Sequence, residues 1–98
     1  MIRHIVMFKF KDENKAENVR KTKEMLDALP AKIDLIVRSE THLNDNSDDD
    51  RNYDLLLISD FNSLDDLHAY IEHPDHKAIG AFMRPLRESR PCTDFEVK

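Results

Sequence analysis

His4 near the amino terminus, and Tyr70, His73 and His76 in one short later stretch, are the side chains whose types and spacing could do chemistry. An imidazole with an ordinary pKa of about 6.5 can remove an acidic proton α to a carbonyl. A phenol beside it can orient the base or donate to the enolate oxygen. Proton abstraction of this kind, with aldol-type closure after it, needs no metal and no redox cofactor. His76 shares a helical stripe with Ile79 and Met83, so it is expected to point inward, and Tyr70 lies near the end of the helix before it. His73 precedes Pro74 and is read as a cap. A metal shared by His73 and His76 is not expected, because Pro74 stands between them and no third ligand is evident. The structural alternative is that Tyr70 and His76 are polar core residues that knit a broken helix to a sheet.

The elements that position these groups follow from periodicity. From Ile2 to Phe10 the chain alternates, with His4, Val6 and Phe8 on one face and Ile5 and Met7 on the other. A histidine on the apolar face must find a hydrogen-bond partner or line a cavity. After polar Asp12-Glu13-Asn14, a helical stripe runs through Val19, Thr22, Met25, Leu26 and Leu29, and Pro30 is expected to end it. Ile33 to Thr41 reads as a second strand, with Ile33 and Leu35 opposite Ile36. Asn44 to Asn52 reads as a mobile acidic hairpin loop that lacks the glycine and distal glutamate of a calcium loop. The run Tyr53 to Ile58 suits a strand buried on both faces. Ser63 with Asp66 starts a helix that buries Leu64, Leu67 and Ile71 and breaks at His73-Pro74. A second piece carries Ile79, Phe82, Met83 and Leu86, and a last strand follows Pro91. Arg84, Arg87 and Arg90 read as a solvated helix face. The order is β-α-β-β-α-β, an α+β ferredoxin-like domain spanning residues 1–98.

Such a sheet carries helices on one face only. Ile5, Met7, Ile36, Leu56 and Ile58 are expected on the other, where they form a patch larger than monomers usually expose. Pairing with a second copy is the simplest closed solution, so a homodimer is expected. A net charge of −5 argues against duplex DNA as a partner. No apolar run approaches a membrane span, and the first residues reach a lysine too soon for a signal peptide, so a cytoplasmic location is expected. Cys92 is the sole cysteine, which rules out an intrachain disulfide.

The opening His4-Ile5-Val6-Met7-Phe8-Lys9-Phe10-Lys11 resembles that of the stress-responsive dimeric α/β-barrel family. Tyr53-Asp54, Leu67, Tyr70 and His73-Pro74-Asp75-His76 resemble that family's second signature, and Asn44 fits the asparagine usual after its second strand. The resemblance implies a ferredoxin-like monomer and a dimeric α/β barrel. In family members that are cofactor-free polyketide cyclases, the residues matching Tyr70 and His76 do the chemistry and the one matching His4 lines the pocket. A further histidine of those cyclases corresponds to Leu55 here, which bears against that specific activity. The expected function is binding of a flat, hydrophobic or aromatic ligand between sheet and helices, against Val6, Phe8, Leu35, Leu55 and Phe82. His76 is the candidate base and Tyr70 its partner. A non-enzymatic stress or scaffold protein is the alternative, and a cofactor-free or haem-linked monooxygenase-like barrel a further one.

Overall fold

In the computed structural model, which describes residues 1–46, 49 and 51–98, the first strand forms where the alternation places it, as β1 (Ile2–Phe10). His4, Val6, Phe8 and Phe10 are buried, and Met7 is 40% exposed on the opposite face. Asn14 turns the chain in the left-handed region (φ 52°), a conformation asparagine tolerates. Helix α1 (Lys15–Ala28) then buries Val19, Thr22 and Leu26. The Thr22 hydroxyl donates to the Asn18 carbonyl at 2.8 Å, which satisfies it inside an apolar stripe.

The next stretch departs from expectation. Leu29, just before Pro30, stays helical (φ −62°, ψ −40°), and a 3-10 turn spans Leu29–Ala31. Proline is tolerated there because the first turn of a helix needs no N–H from it. The N–H groups of Lys32 and Ile33 both reach the Leu29 carbonyl, at 2.8 and 2.9 Å. Residues 32–37 follow it as further turns, with the Ile36 N–H donating to the Ile33 carbonyl at 3.3 Å, so β2 is Arg38–Leu43 rather than a strand from Ile33 to Thr41. Ile33 is buried, and Leu35 and Ile36 pack against the core. Ile36 therefore does not belong to the open sheet face. Burying these side chains from a turn outweighs their β-propensity, which is a weak preference.

Strand β3 (Leu55–Phe61) runs antiparallel to both β1 and β2, with Leu57 opposite Val6 on one side and Thr41 on the other. Buried Asp54 locks its start: its N–H donates to the Phe8 carbonyl (2.9 Å) and its carboxylate accepts the Phe10 N–H (2.8 Å). Helix α2 (Leu64–Glu72) begins as expected, with the Ser63 side chain accepting the Asp66 N–H at 3.1 Å. Leu64, in its first turn, is exposed rather than buried. Helix α3 (Pro74–Met83) starts on Pro74, and the His73 ring accepts the Asp75 N–H at 3.1 Å.

After α3 the chain forms two short strands, β4 (Arg87–Ser89) and β5 (Cys92–Glu96), where one was expected. The sheet order is β2-β3-β1-β4, with β5 also on β1. Pro91 separates the two strands, yet its carbonyl accepts the Met7 N–H at 3.1 Å. The helices cover the face that carries Val6, Phe8, Leu55 and Leu57. On the other face Ile5, Leu56 and Ile58 are half-buried, and Phe95 of β5 is 44% exposed. Strand β3 is thus covered on one face only within this chain. At the rim of the open face, buried Asp60 accepts from Arg3 Nε (2.9 Å) and Nη2 (3.1 Å), with Arg38 at 3.5 Å. The Arg3 hydrogen bond holds the Asp60 carboxyl below its ordinary range.

Asn44 pins the flanks of the acidic loop, donating to the Tyr53 carbonyl and accepting the Asn46 N–H at 2.8 Å. Ser47, Asp48 and Asp50, on which the expected mobility rests, lie outside the described residues. Among the described residues, no helix is long and apolar enough to cross a membrane.

Candidate functional site

Three aromatic side chains from three elements meet under α3. His4 comes from β1, Tyr70 from the last turn of α2 and His76 from the first turn of α3. The Tyr70 and His76 rings lie 4.6 Å apart, and His4 meets Tyr70 edge-on at 6.3 Å. Phe61 backs the group, 4.8 Å from Tyr70. The break at His73-Pro74 brings this about: it turns α3 so that His76 lies against the Tyr70 ring at the end of α2.

Each imidazole has one nitrogen fixed. His76 Nδ1 lies 3.1 Å from the Ile71 carbonyl. A carbonyl only accepts, so the neutral ring carries its proton on Nδ1 and its lone pair on Nε2. Burial lowers the His76 pKa, more than the Ile71 bond raises it, and the charges of Arg90 and His4 add to the lowering. The ring is therefore a neutral base at pH 7. His4 Nδ1 lies 2.5 Å from Asp94 Oδ1, and the two residues are register partners across β1 and β5. His4 is 1% exposed, and its buried Nε2 has no hydrogen-bond partner among the described residues. Burial pushes the Tyr70 phenol up to about 12, so it is a proton donor at neutral pH.

A cavity of about 50 Å³ opens beside His4 and His76, walled by Val6, Phe8, Leu57 and Ile79. That is room for one or two water molecules. Tyr70, expected in the same pocket, packs against the His4 and His76 rings but does not line the cavity, and Leu35, Leu55 and Phe82 are not brought to it either. Leu55 is in the core, and Leu35 and Phe82 pack against its edge. Three residues at or next to the site escaped the sequence reading: Asp94, Arg87 and Arg90. Asp94 depends on the β1–β5 register, which one strand's alternation does not reveal. The two arginines line the cavity from β4 and the turn after it rather than from a solvated helix face. Among the described residues, no cluster of three or more His, Cys, Asp or Glu is placed to hold a metal ion.

The His76 environment has a consequence in acid. The folded ring resists protonation, while the unfolded ring protonates near its ordinary value of 6.5. The unfolded state thus binds more protons below that pH, and stability falls as pH drops through this window. Urea midpoints at pH 8 and pH 5 should show a smaller acid loss in His76→Gln than in the native chain. Equal losses would mean that the ring is not desolvated as described.

The stress responsive A/B barrel domain family matches residues 2–97. No curated protein matches the chain. Among solved structures, a dimeric protein of unknown function and ferredoxin-like fold from Bacteroides fragilis NCTC 9343 is 39% identical, with a TM-score of 0.88 over 98% of this chain and 95% of that one. A dimeric ferredoxin-like protein of unknown function from Thermobifida fusca YX is 29% identical, with a TM-score of 0.86 over 98% and 90% of the two chains. A hydroxynitrile lyase from Passiflora edulis shares the fold at 15% identity, with a TM-score of 0.83 over 99% and 93%.

Proposed function

The chain belongs to the stress-responsive A/B barrel domain family, and from that premise we propose that it is a homodimer whose subunits each move a proton on a small ligand held at His4 and His76, with Tyr70 packed against the base. The observation that carries this reading is the meeting of His4 and His76 at one cavity, where the buried His4 Nε2 has no partner among the described residues. Buried polar atoms are nearly always satisfied, and leaving one alone costs about 1–3 kcal/mol. A water or a ligand atom in the adjoining cavity would supply a partner. In the step itself, a C–H bond α to a carbonyl breaks and its proton passes to His76 Nε2. The electron pair moves onto the carbonyl oxygen, and Tyr70, packed 4.6 Å from the His76 ring, holds the base in position. Asp94 orients His4 as a second-sphere carboxylate orients a catalytic imidazole.

Pairing through Ile5, Met7, Leu56, Ile58 and Phe95 is supported by their exposure and by the dimeric relatives. The scaffold reading draws on the cavity's small size, about 50 Å³, which leaves part of any larger ligand outside it.

Deuterium exchange at the acidic carbon of methyl acetoacetate, followed by proton NMR in D₂O, tests the reading. The native chain should accelerate exchange over buffer, and His76→Ala should lower that rate at least tenfold with the circular dichroism unchanged. Exchange no faster than buffer, together with a stability loss of about 1–3 kcal/mol in His76→Ala, would assign the ring a structural role.

A further inference from the structure

The cavity's cationic side has no counterpart in the acid–base chemistry above. Arg87 and Arg90 line it together with Gly80. Neither guanidinium has a carboxylate partner among the described residues, and the one polar contact of Arg90 is to Cys92 Sγ at 3.9 Å. Nearby carboxylates are engaged elsewhere: Asp94 with His4 at 2.5 Å, and Glu72 with Lys77 at 2.8 Å. Glu88, between the two arginines in sequence, acts on Lys15. Burial and the charges of Arg90 and Arg84 press the Arg87 pKa below its ordinary value. Two like charges held together at a half-buried site are uncompensated, and such a pair attracts an anion.

Gly80 supplies the opening. It is the chain's only glycine, in the interior of α3, where glycine costs about 1 kcal/mol relative to alanine. Its φ is not positive, and a Cβ built on it meets nothing within 4 Å. Neither the backbone nor packing calls for glycine here. What the missing side chain does is leave the helix surface bare beside the two arginines.

We propose that Arg87 and Arg90 form an anion subsite at the cavity, and that the ligand of this protein carries a carboxylate there with its reacting carbon toward His76. Arginine's planar fork matches a carboxylate bidentately, and the bond is charge-assisted on both sides. The placement of the reacting carbon rests on the acid–base reading, whereas anion binding does not.

The experiment compares acetoacetate with methyl acetoacetate, which keeps the same acidic carbon and removes the charge. Binding is read from arginine Nε–H shifts in NMR titrations and exchange is read separately. Acetoacetate should bind the native chain at least tenfold more tightly than the ester. Arg87→Gln and Arg90→Gln should each erase that preference, while Arg84→Gln, on an exposed residue, should keep it. Gly80→Leu should block both probes with the fold intact. Equal binding of acid and ester, no binding of either, or displacement of acetoacetate by an equal concentration of inorganic phosphate would overturn the proposal. Preferential binding of acetoacetate without exchange would leave the subsite standing and remove the acid–base reading.

Discussion

Replacing Leu56 and Ile58 together by aspartate is expected to turn a dimer into a monomer that keeps its secondary structure. Both side chains lie on the sheet face without helices, Leu56 opposite Met7 and His42, and Ile58 opposite Ile5 and Glu40. In a lone chain they are half-buried, so carboxylates there remain hydrated. In a paired sheet they would be buried charges without partners, which costs several kcal/mol each and exceeds what the apolar contacts return. Sedimentation velocity at micromolar concentration should show the native chain at twice the variant's mass. A native chain that sediments as a monomer would remove the basis for pairing through this face.

The second large effect is at Tyr70. This side chain is 1% exposed and lies between the Phe61 and His76 rings, tilted against both. Tyr70→Ala should cost about 3–5 kcal/mol, through lost burial and the void left behind. Tyr70→Phe keeps the packing and removes only the hydroxyl. The native phenol, raised to about 12 by burial, stays protonated where an unfolded tyrosine has begun to ionise at 10. The folded state binds more protons in that window, so its stability is intact below pH 10 and declines as pH rises toward 12. A shift of about two pKa units corresponds to roughly 2–3 kcal/mol. Urea unfolding at pH 9 and pH 11.5 should show this decline in the native chain and a weaker one in Tyr70→Phe. Parallel declines would place the phenol in contact with water.

Much of this was legible in advance, for reasons that differ by element. The faces of β1 follow from strict alternation, and the starts of α2 and α3 follow from Ser63 and His73-Pro74, because capping is local chemistry. The error at Ile33–Ile36 has one cause. An alternating apolar run satisfies a strand and a packed turn equally, and only the fit of Ile33, Leu35 and Ile36 to the core chooses between them. At the site, His4, Tyr70 and His76 could be named from their stripes and from family resemblance. Asp94 could not, since it reaches His4 through a pairing between residues 90 positions apart. The arginines were misassigned because a three-residue interval looks helical even where the chain has left the helix.

The carboxylate that fixes His4 stands on the sheet's outermost strand. Every residue of β5 is exposed in a single chain, and among the described residues the strand it pairs with is β1. Strands of this kind unzip locally at far less cost than global unfolding, and their amides exchange with solvent first. Were β5 to peel away, which in a dimer also gives up the Phe95 contact, Asp94 would leave His4 while the core beneath β1 stayed packed. The imidazole would then lose its tautomeric preference in a chain that is otherwise native. The orientation of the site is thereby tied to the behaviour of the last few residues, so a fusion appended after Lys98 that disturbs this strand would alter His4 before it altered any melting temperature.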